Sequence, residues 1–248
     1  MKSSIKSLIA ALAGATLISS AWAADPVLVN VDAENPPFMS AQGGKATGVY
    51  PAVIAAAFSK INIPINLEAK PWKRALTEID EAKAGLGGIY KNDERAAKYD
   101  FSEPILTENT AVYFNKTKPI DFKTVADLYG KRIGVIRGWS YGDAFDAAKK
   151  DGKVTAEEVT NDKANFLKLA DGRLDAVLAI DEAGKSVISA EKLTSIDQCK
   201  TFLASNKAHL AFGKSAKQTE LLVKFSKAIA EMKQDGSLDK IVLKELSK

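Results

Sequence analysis

Residues 27–67 read VLVNVDAENPPFMSAQGGKATGVYPAVIAAAFSKINIPINL, and this segment predicts the fold. Apolar residues alternate with polar or smaller ones over residues 27–31, as in a β-strand, and a proline pair then ends the strand. From Pro51, a residue typical of a first helical turn, apolar side chains recur at helical spacing as far as Phe58. Alternation returns over residues 63–67. A strand, a helix and a strand in this order form a β-α-β unit and predict an α/β fold.

The α/β pattern continues through the rest of the chain. A helix after Pro71 and a strand over residues 85–90 complete a first lobe. The pattern then restarts with a short helix at 124–128 and a strand at 133–136. A capping box at Ser140–Asp143 opens the next helix. A further helix stops at Gly172, and a buried strand follows at 175–180. The tail predicts an amphipathic helix with Leu221, Leu222, Phe225, Ile229 and Met232 on one stripe, a stop at Gly236 and a last helix. Two α/β lobes are the simplest interpretation.

Composition excludes several classes of protein. The 248 residues are 46% apolar and 27% charged, which is enough to bury a sizeable core and argues against disorder. The net charge is +4, and it falls to +2 without Lys2 and Lys6, which is too weak for nucleic-acid binding. Because His209 and Cys199 are alone of their kinds, the chain offers no zinc cluster, intrachain disulfide or histidine-based triad.

The first residues have the pattern of an export signal. Two lysines precede an apolar run over residues 8–18, and small residues end at Ala21-Trp22-Ala23. We therefore expect cleavage of a signal peptide, residues 1–23, after Ala23 and a soluble protein in a periplasm. The alternative is a membrane anchor, although the run is short and carries Gly14, Thr16, Ser19 and Ser20.

Six strings in the mature chain carry a family resemblance. They are ENPPFM (34–39), GKATGVYPAVIAAAF (44–58), KNDERAAKYDFSEPI (91–105), YGKRIGVIRGWSYG (129–142), DGRLDAVLAIDE (171–182) and MKQDGSLDKI (232–241). In this order the chain resembles the bacterial family 3 extracellular solute-binding proteins, the periplasmic receptors of polar amino acid ABC transporters. The resemblance implies the type II periplasmic binding protein fold, in which two crossing strands join two lobes that close on a small solute. It places lobe one at residues 24–107 plus 208–248 and lobe two at residues 108–207.

The resemblance also assigns two charged residues to the ligand. Arg95 lies where the family's arginine receives the α-carboxylate, and a guanidinium offers a planar fork of donors that matches a carboxylate. The alternative for Arg95 is an exposed helix residue paired with Asp93 or Glu94. Asp181 is the candidate for the α-ammonium, although the family's aspartate aligns one residue earlier, at Ile180. The alternative role of Asp181 is a helix N-cap.

Aromatic and hydroxyl side chains supply further candidates. Trp72 matches the position of an apolar side chain against the ligand, and its alternative is core packing at a helix start. Trp139 precedes Ser140, which matches the family's hydroxyl at a helix N-terminus that meets the carboxylate. Capping of that helix is the alternative for Ser140, and the two roles are compatible.

Four residues complete the predicted ligand-binding set. The resemblance implies that the backbone of Gly88 contacts the ligand. Tyr90 either supplies a hydroxyl to the ligand or only packs in the protein. Asn35 stands where the family commonly has an aromatic residue against the ligand. Phe38, in the same loop, lies against the ligand or in the core, and core packing is favoured.

The sequence thus predicts a periplasmic protein that captures a small polar zwitterion, an amino acid or a relative, and delivers it to an inner-membrane ABC permease. We expect a monomer without catalysis, cofactor, metal or nucleic-acid partner. The rivals are a carboxylate-dependent periplasmic dehydratase on the same scaffold and a ligand sensor that docks on a membrane receptor. The two tryptophans with Tyr50, Tyr90 and Tyr141 indicate an aromatic-walled cleft suited to a flat or cationic group.

Overall fold

The secondary structure of residues 25–248 is described by a computed structural model. The strands are β1 (Val27–Asp32), β2 (Glu34–Asn35), β3 (Met39–Gln42), β4 (Lys45–Thr47), β5 (Ile65–Lys70), β6 (Gly85–Tyr90), β7 (Tyr99–Phe101), β8 (Leu106–Asn115), β9 (Arg132–Ile136), β10 (Thr155–Val159), β11 (Ala176–Ile180), β12 (Ile196–Gln198) and β13 (Ala204–Gly213). The helices are α1 (Val49–Lys60), α2 (Trp72–Asp80), α3 (Asp93–Lys98), α4 (Asp143–Lys150), α5 (Asp162–Ala170), α6 (Asp181–Ala190), α7 (Thr219–Gln234) and α8 (Ser237–Leu246). The predicted signal peptide and its cleavage after Ala23 lie outside the described residues.

One large sheet organises the molecule. Its central path follows the order β10-β9-β11-β8-β13-β6-β1-β5, with β12 paired to β8 and β7 paired to β13. The strands β1, β5 and β6 are parallel, as are β9, β10 and β11. We call β1, β5 and β6 with α1–α3, α7 and α8 the first half, and β9–β11 with α4–α6 the second half. The predicted α/β class is therefore confirmed.

Two long strands join the halves. β8 and β13 have ten residues each and pair antiparallel to one another, with Thr110 opposite Ala204 and Leu106 opposite Ala208. β8 also pairs with β11, and β13 also pairs with β6, so each strand is hydrogen-bonded to one half and to the other linking strand. Motion of one half against the other must therefore bend or twist this strand pair.

Most apolar side chains form clusters within one half or the other. In the first half, side chains of β1, α1 and α7 share one cluster, and all five residues of the predicted tail stripe are buried. A full burial of such a side chain is worth about 1.5 to 3 kcal/mol. The second half holds two further clusters. Trp139 packs against two clusters of the first half and one of the second, and Ile180 and Ala183 of the second half belong to the main cluster of the first, so apolar contacts cross between the halves.

Several predicted helix starts are wrong in detail. α1 begins at Val49, so Pro51 is not its first residue, and Gly48 precedes it at φ 108°. A Cβ on Gly48 would lie 2.6 Å from the carbonyl oxygen of Pro37, so only glycine fits there. The capping box at residues 140–143 does not form, because α4 is preceded by Gly142 and no side chain caps it. Asp181 is the first residue of α6 rather than its N-cap.

Within residues 25–248, no helix combines the length and the apolar character that a membrane crossing requires.

Candidate ligand-binding site

A small cavity lies between the two halves of the sheet. Its lining consists of Met39, Trp72, Gly88, Tyr90, Arg95, Glu108, Trp139, Ser140 and Ile180. The side chains leave a volume of about 10 Å³, which is room for about one water molecule. A wider groove of about 740 Å³ shares Arg95, Trp139 and Ser140 with the cavity. These three residues therefore separate the cavity from the groove, and entry of a larger molecule requires them to move.

Arg95 is held at the cavity wall by backbone carbonyls rather than by carboxylates. The Asn92 side chain caps α3 by accepting the Arg95 backbone N–H at 2.9 Å, which fixes the first turn of this short helix. The guanidinium donates to the carbonyl oxygens of Tyr90 at 2.8 Å and Gly138 at 3.0 Å. Burial lowers the pKa of Arg95, which stays charged because its ordinary value is so high. Three of its five N–H donors are left for another partner.

The ion-pair alternative for Arg95 finds no support in the structure. Within residues 25–248, no carboxylate lies within 4.0 Å of its guanidinium nitrogens, and Glu94 pairs instead with Lys98 at 2.9 Å. The Arg95 side chain is nevertheless buried, with 9% of the residue exposed. A buried cation without an ionic partner is costly, so the arrangement favours an incoming anion.

Trp72 and Trp139 meet across the interface between the halves. The indole of Trp72 donates to the carbonyl oxygen of Gly138 at 3.1 Å, the same oxygen that accepts from Arg95. The ring centroids of Trp72 and Trp139 lie 6.0 Å apart in an edge-on arrangement. Trp139 also packs on Tyr90 at 6.4 Å and donates to Asp32 at 3.2 Å. The loop between β9 and α4 thus inserts its tryptophan into the first half.

Ser140 binds side chains from both halves. Its hydroxyl donates to the carboxylate of Asp146 in α4 and accepts from the Asn92 amide at 3.2 Å. The other oxygen of Asp146 accepts the backbone N–H of Tyr141 at 3.0 Å. Ser140 therefore lines the cavity, and its hydroxyl holds the loop through Asp146 instead of capping the helix.

Glu108 is a cavity residue that sequence reasoning missed. It belongs to β8, is 4% exposed and accepts hydrogen bonds from the hydroxyls of Tyr50 at 2.6 Å and Tyr90 at 2.5 Å. Burial raises the pKa of its carboxyl group to about 7. The available signal was an acidic residue inside the mostly apolar segment ILTENTAVYF, residues 105–114. A charged residue in a buried strand needs a partner, and that argument points to a site.

Asp181 does not line the cavity. Its carboxylate lies 2.7 Å from the ammonium of Lys185 one turn later in α6, and its backbone oxygen accepts from Tyr113 at 2.8 Å. Ile180, the residue before it, lines the cavity instead. The offset of one residue noted in the sequence therefore places an apolar side chain where the family resemblance implies a carboxylate.

Two further acidic residues interact at the interface between the halves. Asp32 ends β1, and Asp162 begins α5. Burial raises the pKa of Asp32 to about 6, against the lowering effect of the Glu34 backbone N–H and the Trp139 indole. Burial and the nearby charge of Asp32 raise the pKa of Asp162 to about 7. One oxygen of Asp162 is buried without a hydrogen-bond partner among the described residues.

The remaining predicted residues divide into two groups. Gly88 and Tyr90 line the cavity, whereas Asn35 and Phe38 do not. A Cβ on Gly88 would lie 2.8 Å from the Met39 sulfur, so the absence of a side chain permits this close packing. The ring centroids of Phe38 and Tyr50 lie 6.0 Å apart in the core of the first half, which agrees with core packing, the alternative favoured for Phe38. Asn35 is buried, and its amide atoms have no partner among the described residues.

Two α/β halves with a cavity between them, lined by a guanidinium and a carboxyl group, are the features of a two-lobed ligand-binding protein. The comparisons with known proteins agree. The family model for bacterial extracellular solute-binding proteins, family 3, matches residues 27–248, and the chain belongs to this family.

Individual relatives cover most of the chain. The L-cystine-binding protein TcyJ of Escherichia coli K12 is 27% identical over 216 residues, covering 86% of this chain and 79% of its own. The structure of an ancestral arginine-binding protein bound to arginine is 26% identical, covers 88% of this chain and 97% of its own, and has a TM-score of 0.75. A histidine kinase sensor domain similar to periplasmic binding proteins has a TM-score of 0.79 at 21% identity, over 90% and 96% of the two chains, and shows the shared fold.

Proposed function

We propose that this solute-binding protein captures an amino acid or a closely related zwitterion in the cleft between its halves and releases it unchanged. Arg95 receives the carboxylate of the ligand, Trp72 and Trp139 cover its apolar or cationic part, and Ser140 with the backbone of Gly88 adds hydrogen bonds. The observation that carries the proposal is a buried guanidinium at the cavity without a carboxylate partner among the described residues.

The small size of the cavity fits a clamp in its closed arrangement. Hydrogen bonds connect the halves at Asn161 with Glu34, at Asn92 with Ser140 and at Gly138 with Arg95. A ligand enters after these contacts open, and closure around it then removes both partners from water. Relatives named for binding L-cystine and arginine support an amino acid as the ligand class.

Membership of the same family also supports a proposal for the partner and the location. We propose delivery of the ligand to an inner-membrane ABC permease by a periplasmic monomer, with lobe one at residues 24–107 and 208–248 and lobe two at residues 108–207. A relative named as a lysine/arginine/ornithine-binding periplasmic protein supports this location. The linking strands β8 and β13 contain both proposed boundaries, which supports the division.

A ligand screen tests the proposal. The mature chain is heated with each of the twenty protein amino acids and L-cystine, and the positive compounds are titrated by calorimetry. A ligand at about 100 times its Kd stabilises the protein by about 2.7 kcal/mol, which gives a clear rise in Tm. Mass spectrometry should recover the ligand unchanged. A Tm that no amino acid raises, or a new product, would contradict the proposal.

A further inference from the structure

A zwitterion in this cleft needs a negative partner as well as Arg95. The loss of water from an ammonium group on closure is costly unless a carboxylate or several acceptors replace the water. Asp181 does not supply the charge, because its carboxylate is paired with Lys185 outside the cavity and Ile180 occupies the wall. The partner must therefore come from another element.

Glu108 is the carboxylate that lines the cavity. Within residues 25–248, no lysine, arginine or histidine nitrogen lies within 4.0 Å of its oxygens, and its hydrogen-bond partners are the hydroxyls of Tyr50 and Tyr90. Each hydroxyl occupies one oxygen, and a carboxylate accepts about four hydrogen bonds in all. Acceptor positions on Glu108 therefore remain for an N–H donor in the cavity.

Tyr90 holds the positive and negative residues in a fixed relation. Its backbone oxygen accepts from Arg95 at 2.8 Å, and its hydroxyl donates to Glu108 at 2.5 Å. One buried tyrosine thus connects the guanidinium at one end with the carboxylate at the other. Because both groups line one small cavity, a compact molecule that carries both charges can meet each with its opposite.

We infer that Glu108, and not Asp181, binds the ammonium group of the ligand. The inference rests on the proposed function and adds a residue to it. Glu108 lies on the linking strand β8, opposite Asn206 of β13, so an ammonium bound there contacts the strand pair about which the halves move. The site should therefore discriminate against carboxylic acids that lack an amino group, because these acids would leave Glu108 without a cationic partner.

Glu108→Gln tests the inference, with Asp181→Asn as the matched control. Glutamine keeps the size of the side chain and an oxygen for one tyrosine but removes the charge. The probes are the twenty protein amino acids, L-cystine and the matched carboxylic acids without the α-amino group, all measured by calorimetry. We expect Glu108→Gln to weaken amino acid binding about 10- to 100-fold and to leave binding of the matched acids within about three-fold, while Asp181→Asn changes neither.

The outcomes separate this inference from the proposed function. Unchanged amino acid affinity in Glu108→Gln, or the larger loss in Asp181→Asn, overturns the role of Glu108 and leaves the proposed function standing. A wild-type chain that binds no amino acid overturns both.

A second measurement uses the wild type alone, in case Glu108→Gln does not fold. An ammonium on Glu108 favours its ionised form, so amino acid binding at pH 7 should release more protons than binding of the matched acid. Calorimetric titrations in buffers of different ionisation enthalpy give the number of protons released on binding. Equal proton release for the amino acid and the matched acid overturns the inference.

Discussion

The two halves of the molecule contribute different chemistry to the cleft. The first half presents Trp72, Tyr90 and Arg95 from regular elements, the helix α2, the strand β6 and the capped helix α3. The second half presents Ser140 and Trp139 from the loop between β9 and α4. A charged site on rigid elements is organised before the ligand arrives, whereas a loop can adapt. Under the proposed function, this difference would let the first half recognise the ligand and the second half close over it.

The largest expected effect comes from removing the positive charge of Arg95 in the first half. Arg95→Ala should weaken amino acid binding by about 3 to 5 kcal/mol, roughly two to four decades in Kd, because it leaves a buried carboxylate without a partner. Arg74→Ala is the control, since the Arg74 side chain is 72% exposed and pairs with Glu78 on α2. Calorimetry that finds wild-type affinity in Arg95→Ala would remove this residue from the site.

Truncation of the tryptophan in the second half should have the next largest effect. Trp139→Ala removes the contacts to Trp72 and Tyr90 and the hydrogen bond to Asp32. We expect the closed arrangement to lose about 2 kcal/mol, since two aromatic contacts and a hydrogen bond to a charged group are lost. Small-angle scattering should then show a larger radius of gyration without ligand. Tyr129→Ala, at a side chain that is 45% exposed, should leave the radius unchanged.

The pair of acidic residues across the interface should make stability depend on pH. The folded-state pKa of Asp162 is raised to about 7, above its unfolded value of 3.8, so its favourable contribution is present at low pH and is lost as pH rises through 7. In wild type the free energy of unfolding should therefore decline between pH 5.5 and 8. In Asp162→Asn this decline should be smaller by about 1 to 2 kcal/mol.

Urea denaturation at several pH values measures the decline in both chains. The opposite contribution of His209, whose pKa burial lowers, is the same in wild type and variant and cancels in their difference. Parallel curves for the two chains would show that Asp162 does not titrate in this range.

The smallest expected effect concerns the hydrogen bonds of Ser140, in the loop between β9 and α4. Ser140→Ala removes the hydrogen bonds to Asp146 and Asn92. We expect a loss of about 1 kcal/mol in ligand affinity, the usual net value of a hydrogen bond, with little change in overall stability. Ser205→Ala, at an exposed serine on β13 that donates to Asn109, is the control and should bind like wild type. A Ser140→Ala chain with unchanged affinity would assign the loop's position to Trp139 alone.

Much of the fold could be predicted because its elements have a clear period. The helices α2 and α7 and the strand β1 show regular burial, and their apolar residues lie in the core. The small antiparallel sheet of β2, β3 and β4 was missed because strands of two to four residues carry too little alternation to detect. The capping-box prediction was wrong because Ser140 finds a partner in Asp146, which a local motif does not reveal.

The candidate site could be predicted only in part. Arg95 and Ser140 stand in strings that resemble the family's, and Trp72 and Tyr90 were assigned by matching their positions to the family; all four line the cavity. Glu108 was missed because its position depends on how β8 crosses between the halves, and that crossing is tertiary information. Likewise, the direction of the Asp181 side chain depends on Lys185 and on the first turn of α6, so sequence alone could not place it.

The carbonyl of Gly138 gives the cleft an internal competitor. It accepts N–H groups from Arg95 and Trp72, so the protein's own backbone already occupies one of the donors that lie beside the proposed carboxylate. Under the proposed function, the affinity for an anion would include the cost of any such contact that the ligand displaces. Re-forming that contact would then assist release of the ligand.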